Sequence, residues 1–281
     1  MRGKEMNRVP TYNAHTHNLF SKWVIVVIAI ILVVGGCSGA YLLRKFYRHE
    51  KQQSNRINAL GGEVQYLNDK LNKYTNYYLY EVEYPDDTYN YLALGNSLTL
   101  IISENRGINA SHEDLDYYGL LNKELKNRHS KVFSHRWNYS TWERYTNRKL
   151  TYEFIDGMLS DKLNLVTLQL GENVSDFSTY EEDLEELINH IKSKATKAEI
   201  IVIGDFWNNN CTELRKKAAE NTGVKYAGIE DIIGDKKYQA YKGYMCYHED
   251  GTSHPIPDAA ISHPNDEGFD YIFKQILNVL D

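Results

Sequence analysis

Two different hydrophobic patterns divide the chain. Residues 23–43 form an apolar run without a charged residue, whereas short apolar runs alternate with amphipathic segments from residue 89 onward. A helix over this run, at about 1.5 Å per residue, spans the ~30 Å hydrocarbon core of a bilayer. Trp23 and Tyr41 lie near its ends, where amphipathic rings favour the membrane interface. The pattern predicts one transmembrane helix over residues 23–43, preceded by a short basic tail.

A lipoprotein signal sequence is the second interpretation of this run. Residues 35–38 (Gly-Gly-Cys-Ser) look like a loose lipoprotein cleavage box. The apolar run nevertheless continues to Leu43 and ends at the basic pair Arg44 and Lys45, as an uncleaved anchor would. Lys and Arg flank both ends in similar number, so charge alone does not set the orientation of the anchor.

Residues 44–80 carry a heptad pattern. Its apolar positions, at alternating spacings of three and four, are Ile57, Leu60, Val64, Leu67, Leu71, Tyr74 and Tyr78. This spacing predicts a helical, coiled-coil stalk, which would make the protein a homo-oligomer. Gly61 and Gly62 weaken the pattern, because each glycine costs about 1 kcal/mol in a helix. A single amphipathic helix packed on the following domain fits the pattern equally well.

The pattern over residues 85–281 predicts an α/β domain. Strand-like apolar runs occupy residues 91–94, 163–170, 199–204 and 224–227. Amphipathic helices are expected over residues 114–126, 180–194, 212–221 and 267–280. Short buried strands separated by helices indicate βαβ units, and hence a three-layer arrangement around a parallel sheet.

Charge is distributed unevenly along the chain. The 281 residues carry 32 Lys and Arg against 38 Asp and Glu, a net charge of −6. Up to Arg56 there are nine Lys and Arg and two Glu, a balance of +7, so the remainder carries −6 − 7 = −13. The basic N-terminal segment favours contact with an anionic surface. The acidic remainder of the chain argues against nucleic-acid binding by the main domain.

Cysteine usage excludes one class of protein. Three cysteines are too few for a disulfide scaffold. Cys211 and Cys246 either pair outside the cell or remain separate buried thiols. The spacing of the Cys and His residues predicts no zinc site, and the sequence has no Gly-rich phosphate loop, so we expect neither a metal nor a cofactor.

Candidate catalytic residues come directly after the predicted strands, where open α/β sheets bind their ligands. Ser97 follows the first strand, Asn173 follows the second, and His263 precedes the last helix. Taken singly, each is more often a cap, a turn former or a loop residue. Together they supply the nucleophile, the base and an oxyanion donor that acyl transfer requires.

These residues resemble the SGNH hydrolase superfamily, the GDSL-type esterases. Residues 94–99 (Leu-Gly-Asn-Ser-Leu-Thr) look like its first block, in which the Ser is the nucleophile. Residues 171–173 (Gly-Glu-Asn) resemble the third block, whose Asn donates to the oxyanion, and residues 263–269 resemble the fifth block, whose His is the base. The resemblance covers about residues 89–280. It implies a flavodoxin-like α/β/α fold with a parallel sheet and a serine esterase that needs no cofactor.

The sequence departs from the family pattern at two positions. The family's fifth block has an Asp three residues before the His, where this chain has Ala260. Asp258 could still reach His263; otherwise a backbone carbonyl orients the imidazole and leaves a Ser-His dyad. The second block's Gly has no counterpart, and we assign its oxyanion role to the backbone amide of Asn138. His254, followed by a proline, is a second candidate for the base.

The resemblance implies small acyl esters as substrates, often O-acetyl groups on carbohydrate or lipid acyl chains. A domain tethered outside a membrane would meet acylated cell-envelope polysaccharide. We therefore expect a single-pass protein of the cell membrane with an extracytoplasmic catalytic domain. One alternative is an O-acyltransferase that uses the same site on polysaccharide. The other is a non-catalytic, membrane-tethered binding or assembly protein.

Overall fold

The chain divides into two compact units, Met1–Gly61 and Gly62–Asp281. The computed structural model describes residues 23–27, 43–58, 60–62, 64–65, 81–207 and 211–281. In the N-terminal part, residues 23–27 are helical, and so are the described residues between 43 and 65. No helix within these described ranges is long and apolar enough to cross a membrane.

Much of the predicted anchor and stalk lies outside the described residues. This is the case for the tail, residues 1–22, for residues 28–42 of the predicted span, and for residues 66–80 of the predicted stalk. The three described heptad side chains, Ile57, Leu60 and Val64, are exposed. The anchor and the coiled coil therefore stay predictions.

A five-stranded parallel sheet forms the core of the second unit. Its strands are β1 (Tyr89–Gly95), β2 (Val132–Asn138), β3 (Leu165–Gln169), β4 (Glu199–Ile203) and β5 (Lys225–Ala227). They are ordered β2-β1-β3-β4-β5, and every neighbouring pair is parallel. This order is that of flavodoxin-like folds, and it reverses direction between β1 and β3, where such sheets open a crevice for ligands. The predicted α/β class and parallel sheet are confirmed.

Helices and short turns connect the strands. The α-helices are α1 (Tyr117–Arg128), α2 (Ser140–Arg144), α3 (Glu153–Asp156), α4 (Tyr180–Lys194), α5 (Thr212–Thr222) and α6 (Asp266–Val279). Single 3₁₀ turns occupy Arg148–Thr151, Glu230–Ile232, Lys236–Tyr238 and Asp258–Ala260. A small antiparallel hairpin, β6 (Met245–Tyr247) and β7 (Ser253–Pro255), lies between β5 and α6 in the sequence.

The two faces of the sheet bury separate hydrophobic cores, because successive side chains of a strand point to opposite sides. On one face, Leu92 and Leu94 of β1 belong to the core that contains the apolar residues of α4 and α5. On the other face, Tyr91 and Ala93 belong to the core that contains those of α1 and α6. Helices therefore cover both faces, as the predicted three-layer arrangement requires.

The principal difference from the sequence-based prediction is β2. The sequence analysis assigns no strand to residues 132–138, but Val132–Asn138 pairs with β1 along its whole length. Every residue of β2 is only half-buried, as expected of an edge strand, and its central residues are Ser134, His135 and Arg136. A strand without an apolar run gives no hydrophobic signal, which is why the pattern missed it.

Candidate active site

The turn after β1 presents Ser97. The side-chain oxygen of Asn96 accepts from the backbone N–H of Leu98 at 3.1 Å, and the Asn96 carbonyl accepts from Thr99 at 3.0 Å. Gly95 is needed before this turn, because a Cβ there would lie 1.9 Å from the Thr99 hydroxyl oxygen. The tight turn leaves Ser97 half-buried at the carboxyl end of β1.

The imidazole of His263 is held by a backbone carbonyl. Its Nδ1 lies 3.1 Å from the carbonyl oxygen of Ala260. Because a carbonyl can only accept, Nδ1 must carry the proton. The lone pair of Nε2 is then available to accept a proton from a nucleophilic hydroxyl group. His263 is half-buried, and burial lowers its pKa below the usual value near 6.5.

A short segment after the Ser97 turn joins Ser97 to the loop that carries His263. The backbone N–H of Ile108 donates to the Ser97 carbonyl at 2.8 Å. The next residue, Asn109, is buried and donates through Nδ2 to the Ala260 carbonyl at 2.7 Å. Ser97 and the acceptor that orients His263 are therefore linked by two adjacent residues. Within the described residues, no hydrogen bond joins the Ser97 hydroxyl to His263 itself.

Trp207 supports the His263 loop from the end of β4. Its indole N–H donates to the Ser262 carbonyl at 3.0 Å. Its ring meets the His263 ring edge to face, with centroids 4.7 Å apart. Ser262 has a left-handed backbone conformation, with φ of 72°, so the loop turns sharply just before His263. These contacts fix the imidazole from a second direction.

The structure does not bring Asp258 to His263. The Asp258 side chain is 79% exposed, and its nearest charged partner is the Lys242 ammonium at 3.8 Å. His254, the second candidate base, lies in β7 with its Nδ1 2.9 Å from Nε2 of His248. Of the two arrangements that the sequence leaves open for His263, the geometry favours the backbone carbonyl over Asp258.

The turn after β3 presents Asn173. Its side chain is exposed, and its Nδ2 donates to Oε2 of Glu143 at 2.6 Å. An amide nitrogen has two N–H groups, so one remains to meet a ligand. Gly171, two residues earlier, has φ of 143°, and a Cβ there would lie 2.3 Å from a guanidinium nitrogen of Arg215. Glycine is therefore required at this turn.

Glu143 is the residue that connects the first and third blocks. Glu143 lies in α2, and its carboxylate is buried. It accepts hydrogen bonds from the backbone N–H groups of Gly171 at 2.5 Å and Asn173 at 3.3 Å. It also accepts from Nδ2 of Asn173 and, at 3.1 Å, from Nδ2 of Asn96. A carboxylate can accept about four such bonds. One buried carboxylate thus holds the predicted oxyanion donor and the neighbour of the nucleophile in fixed positions.

Glu172 extends this buried network. Its Oε2 accepts from Nδ2 of Asn96 at 2.7 Å and lies 3.1 Å from a guanidinium nitrogen of Arg215. Burial, with the carboxylates of Asp205 and Glu143, raises the pKa of Glu172 to about 7 despite the opposing effect of Arg215. Three carboxyl groups and one guanidinium share this region, so a proton on Glu172 offsets part of the excess negative charge.

The network also contains Cys211, whose thiol donates to Asp205 at 2.8 Å. Cys211 and Cys246 are both buried free thiols, which is the second of the two alternatives expected from the sequence.

Asn138 ends β2 beside Gly95, at the same edge of the sheet as Ser97. Its side chain is occupied: Nδ2 donates to the Leu100 carbonyl at 2.7 Å, and Oδ1 accepts from the Ser140 N–H at 3.1 Å. Only its backbone amide could therefore serve the predicted role in an oxyanion site.

Sequence reasoning missed three residues of this site, Glu143, Asn109 and Trp207, and it left open which backbone carbonyl would orient His263. Trp207 follows a predicted strand, so the search at strand ends could have found it. Glu143 and Asn109 act through long-range contacts that no local pattern carries.

Comparisons with known proteins yield fold-level similarities only. No protein-family model matches the chain, and no curated protein matches it. A salicylyl-acyltransferase of a tetracycline biosynthetic pathway is 12% identical with a TM-score of 0.45 over 70% of this chain, which spans only 56% of that protein. Phospholipase A1 from Streptomyces albidoflavus is 16% identical with a TM-score of 0.42, over 68% of this chain and 98% of that one. An acetylxylan esterase from Geobacillus stearothermophilus is 16% identical with a TM-score of 0.46, over 68% of this chain and 93% of that one.

Proposed function

We propose that this protein is a serine esterase of SGNH type. The observation that carries the proposal is the link between the nucleophile turn and the base. Residues 108–109 bond both the Ser97 carbonyl and the Ala260 carbonyl that orients His263. A serine at a strand end, a correctly protonated imidazole and an amide donor together supply the three roles of acyl transfer.

Catalysis would proceed through an acyl-enzyme. Oγ of Ser97 attacks the ester carbonyl carbon while Nε2 of His263 takes the hydroxyl proton. The free N–H of Asn173 and the backbone amides of Ser97 and Asn138 stabilise the oxyanion. His263 then returns the proton to the leaving alcohol. A water molecule, deprotonated by the same Nε2, attacks the acyl-enzyme and releases the carboxylic acid and Ser97.

Small acyl esters, such as O-acetyl groups on carbohydrate, are the proposed substrate class. We further propose that residues 23–43 anchor the protein in the cell membrane, with the catalytic domain outside, where acylated envelope polysaccharide is accessible. Protease treatment of intact cells is expected to degrade the C-terminal domain. Complete protection of that domain, with degradation after permeabilisation, would contradict this orientation.

Labelling with a fluorophosphonate probe tests the nucleophile. The full-length protein should be labelled, and Ser97→Ala should not be. Ser140→Ala is a matched control, because Ser140 begins α2 after the neighbouring strand β2. Equal labelling of Ser97→Ala and the wild type would defeat the proposal.

Transfer to a sugar hydroxyl is the second candidate reaction, because the same acyl-enzyme serves both. Competition between water and oligosaccharide acceptors distinguishes the two. An esterase releases free acetate at a rate that the acceptor does not change. A transferase forms acetylated oligosaccharide at the expense of free acetate.

A further inference from the structure

The β6–β7 hairpin brings a cysteine and a histidine together. Cys246 and His254 are directly opposite each other in its antiparallel ladder. Glu104, from the turn after the nucleophile segment, completes a group whose potential ligand atoms all lie within 4.8 Å of one another. Cys246 is buried, whereas the side chains of His254 and Glu104 are 39% and 28% exposed. An ion could therefore reach the group from solvent.

The spacing of the His254 and Glu104 ligand atoms fits one tetrahedral ion. Nε2 of His254 lies 3.5 Å from Oε1 of Glu104. Two nitrogen or oxygen ligands bound to one zinc at about 2.0–2.2 Å, at the tetrahedral angle, are about 3.4 Å apart.

The outer contacts of these ligands also suit a metal. Nδ1 of His254 lies 2.9 Å from Nε2 of His248, and donation along that contact leaves Nε2 of His254 unprotonated and free to coordinate. The guanidinium of Arg106 holds the other oxygen of Glu104, Oε2, at 2.8 Å, and donates to the Tyr247 carbonyl at 2.7 Å. Ligating His and carboxylate groups are usually oriented by such bonds.

The positive charge of Arg106 needs to be weighed against a cation. Its guanidinium contacts Oε2 of Glu104 and backbone carbonyls, so Oε1 stays available on the side that faces His254. Its contact with Nδ1 of His248, at 3.5 Å, is too long to fix the tautomer of that ring. With a zinc ion, the Cys246 thiolate, the Glu104 carboxylate and Arg106 sum to a net charge of +1, and the two oxygens of Glu104 would divide between the guanidinium and the ion.

We propose that Glu104, Cys246 and His254 bind a zinc ion, with a water molecule in the fourth position. A thiolate and an imidazole favour zinc over calcium or magnesium, which require oxygen ligands. The site would join the turn that follows Ser97 to the hairpin that precedes the Ala260 carbonyl. It would therefore stabilise the two segments that flank the catalytic dyad, without taking part in the ester chemistry.

Cobalt substitution tests the proposal without any activity measurement. The full-length protein is freed of metal with a chelator and titrated with Co²⁺, and bound zinc is counted by mass spectrometry in a parallel sample. We expect one ion per chain and a near-ultraviolet sulfur-to-cobalt charge-transfer band. Cys246→Ser should abolish the band, and His248→Ala should weaken binding about 10- to 100-fold.

Cys211→Ser is the matched control, because Cys211 is also a buried thiol but bonds Asp205 instead. It should retain the band. Circular dichroism checks that each variant is folded, and Glu104→Gln, which preserves side-chain volume, provides a second ligand test if Cys246→Ser unfolds. Absence of stoichiometric binding to the wild type, or an unchanged band in Cys246→Ser, would overturn the zinc site. Neither result depends on esterase activity, so failure of this proposal is separate from failure of the proposed function.

Discussion

Nδ2 of Asn173 donates to Oε2 of Glu143 at 2.6 Å, which ties an exposed amide to a buried carboxylate. Because Glu143 also accepts from Gly171 and Asn96, the proposed oxyanion donor is oriented before any substrate arrives. Such preorganisation is worth most at the transition state, where the charge on the substrate oxygen develops.

Glu143→Gln should therefore lower kcat by about 10²-fold, near the effect of removing one oxyanion donor. The new amide points N–H groups at N–H donors and disturbs the position of Asn173. KM should change far less, since the donor acts mainly in the transition state. Steady-state hydrolysis of a chromogenic acetyl ester measures both. Glu186→Gln, at an exposed position of α4, is the control. An unchanged kcat in Glu143→Gln would show that Asn173 is positioned without it.

Asn96→Asp should destabilise the protein. Nδ2 of Asn96 donates to Glu143 and Glu172, so Asn96→Asp would place three carboxyl groups in contact. We expect a loss of unfolding free energy on the order of 3–5 kcal/mol at pH 8, as for an uncompensated buried charge. The loss should shrink at pH 5, where protonation relieves the repulsion. Denaturant unfolding measures this free energy. Asn278→Asp, at an exposed position, is the control and should lower the free energy of unfolding by less than about 1 kcal/mol.

Asp258→Asn should leave kcat/KM within about twofold of the wild-type value. A twofold change corresponds to the ~0.5 kcal/mol that is typical of surface substitutions. The reason is that the Asp258 side chain is 79% exposed and faces Lys242. A carboxylate that oriented the base would instead cost about 10⁴-fold. His263→Ala, assayed in parallel, should lose nearly all activity. A large loss in Asp258→Asn would restore the Ser-His-Asp triad.

The acid limb of kcat/KM should lie below pH 6.5. Burial lowers the pKa of His263, so the imidazole stays neutral, and able to accept a proton, at a lower pH than an exposed histidine. Activity is then lost only as the pH falls through this lowered pKa. A pH profile of kcat/KM measures the limb. A midpoint above 6.5 would conflict with the desolvated environment of His263.

Glu172 should make folding less favourable as the pH rises. Its pKa is about 7 in the folded protein and near 4.5 when unfolded, so the folded state keeps a proton that the unfolded state releases. Stability from this group therefore declines between about pH 4.5 and pH 7. Glu172→Gln should flatten that decline in the free energy of unfolding, measured at several pH values. A slope identical to that of the wild type would place the proton elsewhere in the network.

The sheet was predictable where its strands are buried on both faces. Residues 91–94 and 200–203 are continuous apolar runs and lie within strands in the structure. β2 and the hairpin were missed because β2 is an edge strand of mixed polarity and β7, Ser-His-Pro, has no apolar run. Hydrophobic periodicity detects a strand only where apolar residues recur along it.

The candidate site was predictable only where a motif names the residue. Ser97, Asn173 and His263 occupy segments that resemble known motifs; the first two follow strands, and His263 precedes the last helix. The role of Glu143 can be recognised only in the folded structure, because it depends on hydrogen-bond donors from the turns after β1 and β3. Glu104 and Cys246 are likewise far apart in sequence, so spacing rules for zinc ligands do not detect them.

A backbone acceptor at Ala260 should give His263, the proposed base, an unusual response to mutations in its loop. No side-chain substitution can delete a carbonyl, so a saturation scan of residues 258–260 should find no position that behaves like a triad aspartate. Substitutions should reduce activity most at the residues that set the direction of that carbonyl. These are Asn109, which donates a hydrogen bond to it, and Ser262, whose left-handed φ shapes the turn. The group that orients His263 would then be specified by the conformation of a loop and by the residues packed against it, and by no single side chain.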